Sequence, residues 1–436
     1  MQKLKICSIL CCFFILAACS SNKKIPEGKR ISVIDTPSKT DILKENKSLE
    51  ISQPQNKKSW PQNRGNEKHL LGNIKVSDDI KEKWTASFEN GASKRDLILC
   101  EPIIVNNTVY IQDVKGTLYA FDIKTGKRVF KQKLKPLNKS DLESGLNGVG
   151  LASDGTKIYA LTGFGSVFAL DAQTGDILWR KEVNAPLRTA PTLGDGKLFV
   201  QTIGNEILVL KTSDGSEIWQ YGISAEDTIL AGGAAPAYDK STNNLIVAFS
   251  NGELTAFNAK IGYPVWSVSL INSSGLGISS YINAIKAAPV IDKNIVIAVG
   301  SNNMTAAIDI KTGDTLWQRE ISGTQTPLIN NDVIYLISSD YNLLALDKND
   351  GQTLWQTPLF ENMKAKEKQS VYLNTPVMFN SKLFVTASNG NVFVFNASTG
   401  KLEKSFDLGE NIPFAPIGAD QTVIFTTNKA NIIAFQ

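Results

Sequence analysis

One fifteen-residue phrase recurs along this chain and limits what it can fold into. Its clearest copy is residues 165–179, GSVFALDAQTGDILW. Val167 and Ala169 fall on one side of an extended segment, Phe168 and Leu170 on the other. A strand apolar on both sides is buried on both faces. Asp171 to Gly175 then supply a turn, since an Asp side chain can bond the backbone two residues on and Gly accepts a positive φ. Ile177 and Trp179 resume a strand. The phrase is a β-hairpin with a Trp four residues past the turn Gly.

Further copies read GTLYAFDIKTGKRVF (116–130), NEILVLKTSDGSEIW (205–219), GELTAFNAKIGYPVW (252–266), MTAAIDIKTGDTLW (304–317), NLLALDKNDGQTLW (342–355) and NVFVFNASTGKLEKSF (391–406). The turn glycines are Gly126, Gly175, Gly215, Gly262, Gly313, Gly351 and Gly400, spaced by 49, 40, 47, 51, 38 and 49 residues. A period of roughly 40–50 residues built from such hairpins is the signature of a propeller blade. Before most hairpins a Pro opens an apolar run, at Pro102, Pro191, Pro236, Pro289, Pro327, Pro376 and Pro416. Pro is tolerated at a strand's first residue. The second blade has GVGLA (148–152) and no Pro.

The ends of the chain complement each other. Residues 80–88, IKEKWTASF, resemble the second half of the phrase, and residues 431–436, NIIAFQ, stop where the turn should come. An N-terminal strand completing a blade begun at the C-terminus closes the ring and removes its open edge. The expected fold is all-β: an eight-bladed propeller of four-stranded antiparallel blades over residues 58–436, one architectural unit despite the 436-residue length.

The start of the chain is different in kind. Lys3 and Lys5 precede an apolar run that ends LAAC at Cys19. That run is short for a membrane span and fits a cleaved signal over residues 1–18. A small-residue site directly before a Cys is similar to the lipobox of bacterial lipoproteins. The similarity implies cleavage before Cys19 and acylation there, which would anchor the protein without a transmembrane helix. An ordinary secretory signal ending in Cys is the alternative. Residues 19–57 are rich in Lys, Ser, Asn and Pro and read as a flexible tether.

Several chemistries are disfavoured. Four of the five cysteines lie in the first nineteen residues, so Cys100 has no intrachain partner in the folded body. A single His, His69, argues against a His-based metal cluster or a Ser-His-Asp triad. Removing residues 1–18 takes two of the 46 basic residues and none of the 42 acidic ones, leaving a balance of about +2. That is no electrostatic footprint for nucleic acid.

Two recurring residue types could be taken for a site. Trp84, Trp179, Trp219, Trp266, Trp317 and Trp355, with Phe130 and Phe406 in the weaker copies, could stack on a planar ligand. One large ring at the same place in every blade is instead what blade-to-blade packing demands. Asp122, Asp171, Asp309 and Asp347 could be catalytic or Ca²⁺-binding. Asn258 and Asn396 replace them in two copies, which suits turn hydrogen bonding and not carboxylate catalysis.

The phrase as it stands in residues 169–179 resembles the docking motif of quinoprotein-like propellers. With the lipobox and a single propeller of this length, the chain resembles within that group the BamB family of outer-membrane assembly lipoproteins. This resemblance implies a non-enzymatic scaffold without cofactor or metal, on the periplasmic face of the outer membrane. It implies docking on the periplasmic domains of a BamA-like barrel subunit, possible contact with unfolded barrel precursors, and no nucleic-acid partner. The family's contact loop carries a Leu-Arg before a blade-opening Ala-Pro. Residues 184–191, NAPLRTAP, match in kind, which marks Leu187 and Arg188 as partner-binding residues on an exposed loop. A second acidic contact stretch is absent from residues 283–289, NAIKAAP. The alternatives are a pyrroloquinoline quinone oxidoreductase, which would require converging carboxylates and an Arg near the axial cavity, and a glycan-binding propeller.

Overall fold

The computed structural model describes residues 49–137, 148–183, 185–187, 189–224, 233–271, 284–302, 304–361 and 370–436. The signal and Cys19 lie outside these, as does the tether up to residue 48. Eight sheets follow one another around the chain. Blade 1 consists of Ile103–Val105, Thr108–Gln112, Thr117–Asp122 and Arg128–Lys133. Blades 2 to 7 span 148–182, 192–222, 237–269, 290–319, 328–358 and 377–407. Blade 8 takes three strands from 417–435 and its fourth from Glu82–Ser87. The eight-bladed all-β expectation and its closure by an N-terminal strand both hold.

Within each blade the strands pair antiparallel in chain order. First strands of successive blades touch from blade 1 to blade 6, and blade 8 touches blade 1, so they ring the axis. Second and third strands are buried on both faces, as in Val333–Ile337 and Asn342–Asp347 of blade 6. Fourth strands are largely exposed and form the rim. The blade-opening prolines sit one residue before the first strand, outside its ladder. Blade 2, lacking that Pro, has a six-residue first strand, Gly148–Ser153, against three residues elsewhere.

The aromatic set joins the blades. Every pairing of third and fourth strands slips by one residue just before the aromatic position, as where Trp179 pairs with Ala169 and Ile177 with Leu170. Such a bulge re-aims a side chain. Each ring thereby lies over the turn Gly of the next blade. A Cβ added at Gly126, Gly175, Gly215, Gly262, Gly313, Gly351 or Gly400 would come within 2.5–2.7 Å of the preceding blade's aromatic side chain. All seven glycines have φ between 68° and 81°, a second reason for Gly. The indole nitrogens of Trp84, Trp179, Trp219, Trp266, Trp317 and Trp355 donate to carbonyls of the next blade at 2.8–3.3 Å. Phe130 has no such donor. At its joint the Tyr110 hydroxyl donates to the Ala172 carbonyl instead, at 2.7 Å.

Phe406 requires a correction. The aromatic position of blade 7, opposite Val394, is held by Lys404. Phe406 lies two residues further on and packs against Phe425 and Phe435 of blade 8. Blade 8 has no turn Gly, because its third and fourth strands come from opposite chain ends, so an indole there would have nothing to cover.

The turn role of the acidic set is direct. Asp171 Oδ1 accepts from the backbone N–H of Gln173 and Thr174 at 2.8 and 2.9 Å. Asp122 and Asp309 make the same pair of bonds. Asn258 and Asn396 make them with an amide oxygen.

The N-terminal segment is the unexpected element. Residues 49–57, expected to be tether, are ordered, and Leu49 is buried. From Glu50 to Ser77 the chain forms a strap that bonds to all eight blades. Trp60 exchanges backbone hydrogen bonds with Ile104 of blade 1. The Pro61 and Glu67 carbonyls accept from Ser153 of blade 2 and Tyr238 of blade 4, and Gln62 Oε1 accepts from Leu193 of blade 3. The Lys68 carbonyl accepts from Ile291 of blade 5, and Asn330 of blade 6 accepts from the Ser52 N–H. Asn73–Ile74 adds a fifth, parallel strand to blade 7, and the Lys57 carbonyl accepts from Asp420 of blade 8. His69 is buried in the strap, its Nδ1–H donating to the Pro289 carbonyl at 2.8 Å. Burial pushes its pKa down from 6.5 to about 4.

Two outcomes are expected. Trp317, 7% exposed, should cost about 3–5 kcal/mol when replaced by Ala, read as a lower denaturation midpoint. Trp317→Phe should cost less, chiefly its bond to Lys348, about 1 kcal/mol. Equal midpoints for Trp317→Ala and the unaltered chain would refute the joint. For His69, the unfolded chain takes up a proton between pH 6.5 and about 4 that the folded chain resists. Its contribution is therefore present above pH 6.5 and lost as pH falls through this window, by up to about 3 kcal/mol. His69→Asn should flatten the melting temperature between pH 7 and 4.5. An unchanged slope would sink this account.

Candidate partner-docking face and axial cavity

The two ends of the ring differ. One is crossed by the strap, which meets the blades near the turns between first and second strands. The other gathers the connections that enter each first strand, and the candidate loop belongs to them. Its Leu187 is not exposed. The side chain is fully buried among Val149, Tyr159, Val167 and Leu198, between blades 2 and 3. Leu187 also forms an isolated bridge with Thr202, and the Pro186 carbonyl accepts from Ile203 at 3.0 Å. The expectation of an exposed Leu187 anchor is therefore corrected: an apolar side chain beside an inter-blade seam gains more by burial there. Arg188 lies outside the described residues.

The same entries surround an axial cavity of about 490 Å³. Every blade contributes to its wall, for example Glu101, Val149, Thr189, Ala235, Lys286 and Asn374, while Asn63 and Arg64 of the strap form its floor. Arg64 has a left-handed backbone, φ 54°, in the short 3₁₀ turn Asn63–Gly65. Its side chain is 9% exposed and its Nη2 donates to Glu101 Oε1 at 2.8 Å. Its Nε and Nη1 have no partner among the described residues, nor does the buried Thr189 hydroxyl. Burial lowers the pKa of Lys286.

Sequence reasoning missed Arg64 and Thr189 as cavity residues. The only cue was the turn-forming NRG after Trp60 and Pro61, which no repeat copy contains. Lys286 was visible, but as a place where expected acids were missing.

The donor set does not suit a metal-dependent quinone. Among the described residues no three His, Cys, Asp or Glu side chains converge. Glu101 is the sole carboxylate of the described cavity wall, and Arg64 already pairs with it. Cys100 lies behind the wall, fully buried, its thiol pushed up to about 12 by burial.

The family model described as "Outer membrane protein assembly factor BamB" matches residues 135–357 and 343–436. The chain belongs to the BamB family. A relative of that name from Moranella endobia is 26% identical over 224 residues, covering 51% of this chain and 57% of its own length. The chain thus spans a little over half the length of that relative. The solved structure of BamB from Moraxella catarrhalis superposes with a TM-score of 0.69 at 18% identity, covering 82% of this chain and all of that one. The quinohemoprotein alcohol dehydrogenase of Comamonas testosteroni gives 0.69 at 12% identity, over 86% of this chain and 80% of its own. At these identities the two structures share the fold with this chain. The fold alone therefore does not separate a BamB propeller from a quinoprotein enzyme.

The burial of Cys100 is open to measurement. In the chain from residue 20 onward it is the one remaining thiol. A thiol reagent should leave it unmodified under native conditions and label one thiol per chain in guanidinium. Rapid native labelling would contradict the packing.

Proposed function

We propose that this protein is a non-enzymatic lipoprotein scaffold of the outer-membrane β-barrel assembly machine. Membership of the BamB family, matched across blades 2 to 7 and three of the four strands of blade 8, is the observation that carries the reading. In this reading Cys19 bears the lipid and holds the propeller at the periplasmic face of the outer membrane. The face opposite the strap docks on the periplasmic domains of a BamA-like barrel subunit. Arg188 is the contact residue there, making a charge-assisted bond to the subunit, while buried Leu187 holds the loop against the blade 2–3 seam. The outer strands of the blades, each at a sheet edge, offer sites where precursor strands could add.

The physical logic is rigidity. Seven aromatic joints and a strap that bonds to all blades make a disc whose loops keep their relative positions, as a docking platform needs. The quinoprotein reading lacks a carboxylate set among the described residues.

Arg188→Glu should weaken co-purification with the barrel subunit from detergent-solubilised membranes while leaving the melting temperature unchanged. Undiminished recovery of the subunit would remove Arg188 from the contact. In the same preparations Cys19→Ser should abolish fatty-acid labelling and release the protein from the membrane fraction. Retention there without label would refute the lipid anchor.

A further inference from the structure

We propose that the axial cavity is a binding site for an oxyanion, a carboxylate or phosphate group carried by a small molecule. The proposal is independent of docking on the assembly machine.

The argument begins with Arg64. A guanidinium has five N–H donors, one on Nε and two on each Nη. Among the described residues only Nη2 is engaged, by Glu101, so the donors on Nε and Nη1 are unmet there in a side chain nine-tenths buried. Leaving charged donors unmet away from bulk water is costly. Arg64 is nevertheless fixed at the cavity floor by a left-handed backbone and by a strap whose neighbours Trp60 and Gln62 are tied to blades 1, 2 and 3. Its side chain is held at the wall by the Glu101 bond.

Two further groups share the cavity. The buried Thr189 hydroxyl has no partner among the described residues. Lys286 is half-buried, and no carboxylate among the described residues pairs with it. Glu101 offsets one of the two positive charges, so the described wall carries a net positive charge. The remaining polar lining, such as Thr324, Gln325 and Asn374, is neutral. A positive site with unmet donors selects an anion, and an unmet hydroxyl in the same wall suits an oxygen acceptor. The volume, about 490 Å³, is that of a small-molecule site. An anion bound there would also raise the pKa of Lys286 back toward its ordinary value.

The test is calorimetric titration of the full mature chain at low ionic strength with citrate and, separately, inorganic phosphate, against sodium chloride at matched ionic strength. The expected result is saturable binding near one per chain to at least one of the two. Citrate alone would mark a carboxylate site, phosphate alone a phosphate site. Affinity should fall by about tenfold or more in both Arg64→Gln and Lys286→Gln, the worth of one charge-assisted hydrogen bond. It should be unchanged in Lys401→Gln on the rim. Binding should also be accompanied by proton uptake at alkaline pH that Lys286→Gln abolishes. Heats no larger than the chloride control for both probes would overturn the proposal and leave a water-filled cavity. If Arg64→Gln does not fold, an affinity unchanged in Lys286→Gln overturns it equally.

Discussion

Everything in this ring depends on a flat aromatic side chain meeting a glycine that has no side chain. The contact is narrow in its demands. The glycine must be left-handed to close its hairpin, and it must lack a Cβ because the ring already occupies that space. The ring must project across the seam, which the bulge before it arranges. The indole N–H then meets a carbonyl that the tight turn leaves exposed. One residue from each of two blades thus links hairpin, register and inter-blade packing. This is why the unit can repeat with connections of variable length and still stack.

A ring of such joints has one place where the rule must fail, the seam between the chain's two ends. There the turn Gly is missing from blade 8, Lys404 stands where an aromatic would, and Phe406, Phe425 and Phe435 form a cluster instead. Across the seam, Trp84 carries the joint from blade 8 to blade 1, donating to Ile123. The strap adds a second closure of a different kind. It meets most blades through one or a few hydrogen bonds, adds a strand at blade 7, and crosses the ring's end instead of running along its circumference.

The period, the eight blades, the closing strand, the turn bonds and the packing role of the indoles were legible because each is written several times in the sequence. Variation among the copies separated what the fold needs from what it does not: Asn for Asp kept the turn, and Phe130 for Trp kept the ring. Elements that occur once were not legible. The strap has no copies and no strand periodicity, and its partners are scattered over all eight blades. Phe406 was matched by type when the register placed Lys404 at the position. Leu187 looked exposed because it stood in a loop next to Arg188, whereas a lone apolar residue in a loop can instead fill a seam. Arg64 carried no local sign of its cavity, since nearly all the rest of the wall comes from the blade entries.

The strap also orders events in time. Residues 50–77 are made early in synthesis, yet their partners extend to Asp420 and Gln421 of blade 8. Blades can assemble pairwise as they arrive, but the strap's ties to Asp420 and Gln421 cannot form until blade 8 exists, and blade 8 needs the C-terminal strands. A chain interrupted before its last thirty residues would hold stacked blades and an N-terminal segment without its ties to blade 8. Completion of this protein is therefore a whole-chain event with high contact order, even though its parts are local hairpins.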